Sequence, residues 1–347
     1  MITLTRKDTL FLLFVLVAAG LAAWSASNAL ANKKILIKFP HSVSINTPKG
    51  QGAEKFRELV AARLGTRVEV EVYPSASLMT DDASIEALAF GEIQMIAVPA
   101  SKLDRLTKKF QVFDLPFLFD DTEAVERFQA SPVGRNLLTV LESKGLHGLA
   151  FWHNGMKQFG GPKPLLLPED AVGLKFRIME SDVLQAQILA VGGNPQKMPF
   201  AEVYQALQTG AVDAQENTYS NLYSSRFYEV QDYIVETNHG FVSYILVTNM
   251  KFWTDLPDDV RSELDEIIAE TSHFVNSRAK AMNDIAKQKI LDSGQSELLN
   301  LTPAQRLAWQ KAMAPVWEQF RGDIGEDVMA AAIAAGQSSR DTGATQE

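Results

Sequence analysis

The chain has 347 residues, no cysteine, and 42 acidic against 33 basic side chains, a formal charge of −9. That balance excludes a nucleic-acid binder, because a phosphate backbone demands a basic footprint, and it argues equally against anionic lipid headgroups. Without cysteine, thiol catalysis, thiolate metal sites and disulfides are excluded, so stability has to come from a buried core, which a chain of this length can build.

The first element in the chain is an export signal. Arg6 and Lys7 precede an uncharged apolar run from Leu10 to Trp24, and Ala29-Leu30-Ala31 closes it as an Ala-x-Ala site. The run is shorter than the roughly 20 apolar residues a spanning helix needs, so cleavage after Ala31 is expected rather than an uncleaved anchor. Removing residues 1–31 takes Arg6, Lys7 and Asp8 and leaves 316 residues with 31 basic and 41 acidic side chains, a net charge of −10. That length suits about two domains.

Strand and helix signals then alternate. Lys33–Phe39 reads as a buried strand, and Thr47-Pro48 caps and opens a helix to Leu64. Arg67–Tyr73 sets Val68, Val70 and Val72 against Glu69 and Glu71, the period of two of a half-buried strand. A helix from Asp82 to Phe90 stops at Gly91, and Ile93–Val98 is the next strand. Ser131-Pro132 caps a helix that ends before Gly145; Gly148–Trp152 and Leu174–Ile178 are strands. Ser181 starts a helix to Val191-Gly192, and a shorter one, Ala201–Thr209, stops at Gly210. Strands follow at Val212–Gln215 and Phe241–Thr248. Repeated β-α-β units predict an α/β protein with mostly parallel sheets. From Asp258 to Asp292 the pattern is helical with no Gly or Pro. It is either two helices joined at a kink or one helix roughly 50 Å long that runs across both domains.

Common catalytic motifs are missing: there is no H-E-x-x-H, G-x-S-x-G, G-x-G-x-x-G or phosphate-binding loop. His41, His147, His153, His239 and His273 form no metal-binding i, i+4 pair. No cofactor and no metal are expected, and a binder is favoured over an enzyme. A paired-carboxylate hydrolase stays open on composition. Three segments carry more specific chemistry. Arg177 lies inside the apolar strand Leu174–Ile178, where its planar fork suits either an internal salt bridge or a clamp for a ligand carboxylate. Asn217 ends the strand of Ala211–Asn217, where an amide either caps a turn or meets a ligand at the sheet edge. Lys157 follows an apparent Asn154-Gly155 turn after Phe151-Trp152 and is either solvated or functional.

Together these segments resemble the solute-binding proteins of tripartite ATP-independent periplasmic (TRAP) transporters, in particular the C4-dicarboxylate-binding branch. The similarity is densest from Gly173 to Tyr233, which contains GLKFRIMESD, GGNPQKMPF and AVDAQENTYSN. It extends through TPKGQGAEKF (Thr47–Phe56), VEVYPSASL (Val70–Leu78), FDLPFLFDD (Phe113–Asp121), FWHNGMKQF (Phe151–Phe159), TNHGFVSYILVTN (Thr237–Asn249) and LPDDVR (Leu256–Arg261). The resemblance implies a two-domain periplasmic binding protein with an interdomain ligand cleft and a long helix spanning both domains. The expected division is 1–31 for the signal, 32–154 plus 244–282 for domain I, 155–243 plus 283–337 for domain II, and 338–347 as a disordered tail. It also implies that Arg177 forms the main salt bridge to a ligand carboxylate, that Asn217 hydrogen-bonds the same group, and that Lys157 supplies a second positive charge.

Some positions depart from the family pattern. Pro99 stands where sialic-acid-binding relatives carry glutamate, which argues against that sugar acid. Glu180 stands where asparagine is frequent and would suit a ligand hydroxyl, as in malate. Thr218-Tyr219 replaces a proline or tryptophan after Gln215-Glu216-Asn217. Tyr219, Phe241 and Tyr244 either line the cleft or belong to the core, and His41 is a candidate for the far carboxylate. The function implied is capture of a small organic acid such as malate, succinate or fumarate by a monomeric periplasmic protein. That protein would deliver it to the small and large TRAP permease subunits. The same fold binding another carboxylate, such as a 2-oxo, aromatic or sugar acid, or serving as an exported hydrolase or lyase, is the alternative.

Overall fold

The computed structural model describes residues 34–343, with side chains through Gly336; the export signal and the Ala31 cleavage site lie outside these residues. The chain begins with Ile35–Pro40 (β1), which pairs in parallel with Val68–Tyr73 (β2). The helix Pro48–Leu64 between them starts where the sequence requires it: Thr47 Oγ1 accepts from Gly50 N and Pro48 occupies the first turn. Met95–Pro99 (β3) follows, then Leu146–Met156 (β4), longer at both ends than its apolar centre suggested. The chain crosses at Lys157 into Gln158–Gly161 (β5), Lys175–Ile178 (β6), Asn194–Lys197 (β7), Ala214–Asn217 (β8) and Tyr233–Glu236 (β9). It returns as Phe241–Asn249 (β10) and crosses again through the long helix Asp258–Ser293 to Glu297–Asn300 (β11).

The sheets define two lobes. The first holds β1–β2 and a three-stranded sheet in the order β3-β10-β4; the second holds a six-stranded sheet in the order β11-β9-β5-β8-β6-β7. The expectation of mostly parallel sheets does not hold. β10 runs antiparallel to β3 and β4, and β5 antiparallel to β8 and β9. The reason is topological: these two strands enter their sheets from the opposite lobe rather than through a β-α-β crossover. Both faces of the first lobe's sheet are covered, so β10 is buried at every position. Ile245 and Val247 pack into one cluster with Phe113, Phe128 and Phe151, whereas Tyr244 and Leu246 face another with Phe39, Phe56 and Trp152.

The long helix is a single uninterrupted element of 36 residues, which removes the reading of two kinked helices. Its first part buries Val260, Leu264 and Ile267 in the first lobe and its last part buries Ala286 and Ile290 in the second. Two asparagines fasten it to β4 on the way. Asn276 accepts from His153 N at 2.8 Å and donates to the Phe151 carbonyl at 3.1 Å. Asn283 donates to the Asn154 carbonyl and accepts from Ser220 N at 2.9 Å. The Asn154-Gly155 pair is therefore not a turn. β4 continues through it, and Gly155, at φ +151°, brings the strand against Asn283, where a Cβ would lie 2.8 Å from the amide nitrogen.

Of the C-terminal helices, Pro303–Met313 packs Trp309 and Met313 with Phe159 and Phe176 of the second lobe, whereas the two that follow reach back to the first. Val316, Phe320, Ile324, Val328, Met329 and Ala332 complete the cluster around Phe113 and Phe128, and that apolar stripe decides their position. The last helix, Glu326–Gly343, continues into the segment expected to be a disordered tail, because its alanine-rich run carries the backbone bonding onward; residues 344–347 lie outside the described residues. Among the described residues no helix is long and apolar enough to cross a membrane.

Candidate functional site

Arg177 is the middle of β6, paired with Gln215 of β8 on one side and Gln196 of β7 on the other. Its side chain is 2% exposed and points into the seam between the lobes. Nε and Nη2 donate to the Met198 carbonyl at 3.1 and 2.8 Å, and the guanidinium lies 5.9 Å from the Phe200 ring centroid. Among the described residues no carboxylate oxygen comes within 4.0 Å of it, so the alternative of an internal salt bridge is removed. Burial draws its pKa down to about 10, against the more distant fields of Glu216, Asp81 and Asp82. The group remains a cation at neutral pH.

Beside it, at the seam between the lobes, lies a small cavity of about 20 Å³. The second lobe contributes Arg177, Asn217 and Asn221; the first contributes Tyr244, Asp81 and Lys102. Asn217 Oδ1 accepts from Thr218 N at 3.0 Å and from Asn221 Nδ2 at 2.8 Å. Both bonds fall on the oxygen, which turns its NH₂ into the donor left for a guest. The Tyr244 hydroxyl receives Asn154 Nδ2 at 3.2 Å, and burial pushes its pKa up, so it stays a phenol. Lys102 donates to Asp82 at 2.7 Å, and Asp81 accepts from Ser42 Oγ at 2.7 Å. An acid group entering here meets a buried guanidinium, an amide NH₂ and a phenol converging from two lobes.

Of the residues expected at the site, Arg177, Asn217 and Tyr244 meet at this cavity, whereas Lys157, Glu180 and Tyr219 do not line it. Lys157 has a partner within the protein. Nζ donates to Glu216 Oε1 at 2.7 Å and both side chains are fully buried, so its charge is already neutralised. Glu216 also receives His239 Nε2 at 2.7 Å and Gln187 Nε2 at 3.1 Å. Burial alone would raise the Glu216 pKa; Lys157 and His239 outweigh it and hold the group down to about 2. Glu180 turns away from the cavity to Arg105 at 3.1 Å. With Lys108–Asp182 at 2.9 Å, that pair joins the rims of the two lobes. Tyr219 donates to Glu236 at 2.9 Å and lines a separate recess with Lys287, because two positions along the same short helix turn it away from the face on which Asn221 meets the cavity. His41 is buried one residue from the wall at Ser42, and burial together with Lys49 lowers its pKa to about 3, which keeps it neutral. Among the described residues no cluster of three or more His, Asp and Glu side chains is placed to hold a metal ion.

Sequence reading missed Asn221 and Asp81 on the wall and Lys49 behind it. Lys49 alone carried a signal, a cation in the first turn of a helix, where the macrodipole disfavours it.

Two mixed α/β lobes with a charged cavity between them define a solute-binding protein. The chain belongs to the bacterial extracellular solute-binding protein family 7, whose pattern matches residues 39–323. It is similar to the C4-dicarboxylate-binding periplasmic protein DctP of Shewanella loihica, with 49% identity over 93% of this chain and 94% of that protein. The protein of the same name from Vibrio cholerae is 44% identical over 93% of this chain and 98% of its own length. Among solved structures, a TRAP periplasmic solute-binding protein from Shewanella oneidensis with bound succinate superimposes with a TM-score of 0.87. It shares 49% identity and covers 88% of this chain and 100% of its own. One from Pseudomonas aeruginosa with bound L-malate gives 0.81 at 45% identity, covering 82% and 99%.

Proposed function

We propose that this chain captures a C4-dicarboxylate such as succinate, malate or fumarate in the periplasm and hands it unchanged to a TRAP membrane permease. The observation that carries the reading is Arg177: a cation buried between two lobes, bonded to the Met198 carbonyl and, among the described residues, to no carboxylate. The names of the most similar relatives and the succinate and L-malate held by the similar structures support the choice of acid. Arg177 takes one carboxylate as a bidentate partner, Asn217 donates to the same group, and Tyr244 and His41 lie on the opposite lobe. Approach of the lobes excludes water and strengthens these charge-assisted bonds. A micromolar site needs about 8 kcal/mol, within reach of two such contacts after desolvation. Export is by the N-terminal signal, cleaved after Ala31.

The test uses chain recovered from the periplasm, whose intact mass is expected to begin at Asn32. Succinate, L-malate and fumarate are compared in a thermal-shift panel with galactonate, glucuronate, orotate and a 2-oxo acid. At about 100 times Kd a ligand adds about 2.7 kcal/mol, a rise of several degrees for a chain of this size. Stabilisation by a sugar acid or an aromatic acid alone would replace the C4-diacid reading. Bound acid followed by NMR for hours is expected to stay intact; any turnover would overturn capture without chemistry.

A further inference from the structure

Lys49 is fully buried, yet no part of the site described so far uses it. It is the second residue of the helix Pro48–Leu64, where the macrodipole already repels a cation. Its Nζ donates to the Ala97 carbonyl at 3.0 Å and lies 4.0 Å from the centroid of the Tyr244 ring. Among the described residues no carboxylate oxygen stands within 4.0 Å. One of the three ammonium donors is therefore used and two remain. Such a placement costs stability unless an anion compensates it.

Lys49 stands behind the first-lobe wall of the cavity that Arg177 enters from the second lobe, and Tyr244 links it to that wall. Tyr244, whose ring carries the ammonium, lines the cavity, and so does Asp81, whose field reaches both Lys49 and Arg177. His41 stands close enough to feel the Lys49 charge. The two lobes thus each present one buried cation without a close carboxylate, Arg177 from β6 and Lys49 from the first helix. A single carboxylate neutralises only one of them. A short diacid neutralises both, each end in a different lobe.

We propose that Lys49 is the specificity determinant that makes this a diacid site, its ammonium receiving the second carboxylate while Arg177 holds the first. The inference rests on the reading of the chain as a carboxylate binder and adds what selects two carboxylates over one. The experiment measures calorimetric affinities of wild type, Lys49→Met and Lys49→Arg for succinate and for succinamate, which has the same length with one end uncharged. Lys49→Met is expected to lose about 10- to 150-fold for succinate and to bind succinamate within a few-fold of wild type. Discrimination between the two ligands then collapses. Lys49→Arg, which keeps the charge, is expected to retain most of it. Lys49→Met without ligand should melt at or above wild type, since methionine fills the space with no charge to desolvate. Wild-type succinate affinity in Lys49→Met, or an equal loss for both ligands, would overturn the assignment of Lys49 and leave the carboxylate-binding reading intact. Failure of wild type itself to bind succinate would overturn both.

Discussion

The Arg177→Ala variant is expected to lose ligand-induced stabilisation altogether while keeping its fold. Truncating one partner of a buried charge pair costs about 2–5 kcal/mol in binding, which moves a micromolar site by roughly 30- to 5,000-fold. The ligand's carboxylate would be left in a cavity with Asp81 on its wall and its main cation gone. The cost to the fold is much smaller. Among the described residues the Arg177 guanidinium bonds the Met198 carbonyl alone, so its removal leaves one acceptor short, about 1–3 kcal/mol, partly offset because a buried cation is also deleted. Arg177→Lys separates charge from geometry: a point charge replaces a planar fork, and affinity should fall to an intermediate value. Titration calorimetry with succinate, paired with melting curves of the ligand-free variants, measures both quantities. An alanine variant that binds within a few-fold of wild type would show that the acid group is held elsewhere.

Arg177 was visible in the sequence because a cation inside an apolar strand is anomalous wherever it occurs. The strand Val68–Tyr73, the Thr47-Pro48 cap and the long helix were visible for a related reason, since each is written in a local period or a local cap. What escaped was set by tertiary contact. Asn154-Gly155 carries the usual signature of a hairpin turn, but Asn283 of the long helix bonds across it and the strand runs on. Lys157 is expected from the resemblance as a second charge for the ligand, and only the meeting of β5 and β8 shows that Glu216 already holds it. Tyr219 and Glu180 sit within a few residues of true cavity residues, yet a strand end and a helix start aim them elsewhere. The helices after Pro315 have apolar stripes any sequence reading can see, but the stripe does not say which lobe it will cover. Lys49 is the intermediate case: a cation in the first turn of a helix is out of place electrostatically, but its full burial is set by the contacts of Ala97 and Tyr244.

Glu216 carries the second large expectation. It joins Lys157, at the point where the chain leaves the first lobe, to β8, whose last residue is Asn217. The crossing is tight there: Lys157 N donates to the Gly240 carbonyl at 2.8 Å, and a Cβ on Gly240 would lie 2.5 Å from the lysine Cε. The ion pair therefore fixes both inter-lobe segments against the strand that presents the site amide. Glu216→Gln keeps the shape and removes the charge, stranding a lysine with no water to reach. Breaking a buried pair in this way costs about 3–5 kcal/mol, a melting point lower by on the order of 5–10 °C. Adding Lys157→Met should recover much of that loss, because no uncompensated cation remains. The acid limb gives a second readout. Glu216 has a folded pKa of about 2 against the 4.5 of an ordinary glutamate, so its stabilisation is complete above pH 4.5 and is lost as pH falls toward 2. That part of the acid transition should be missing in Glu216→Gln. The single variant should also bind succinate more weakly, through a displaced Asn217, even though residue 216 does not line the cavity. Wild-type melting and an unchanged acid limb in Glu216→Gln would show that the Lys157–Glu216 pair does not hold the crossing in place.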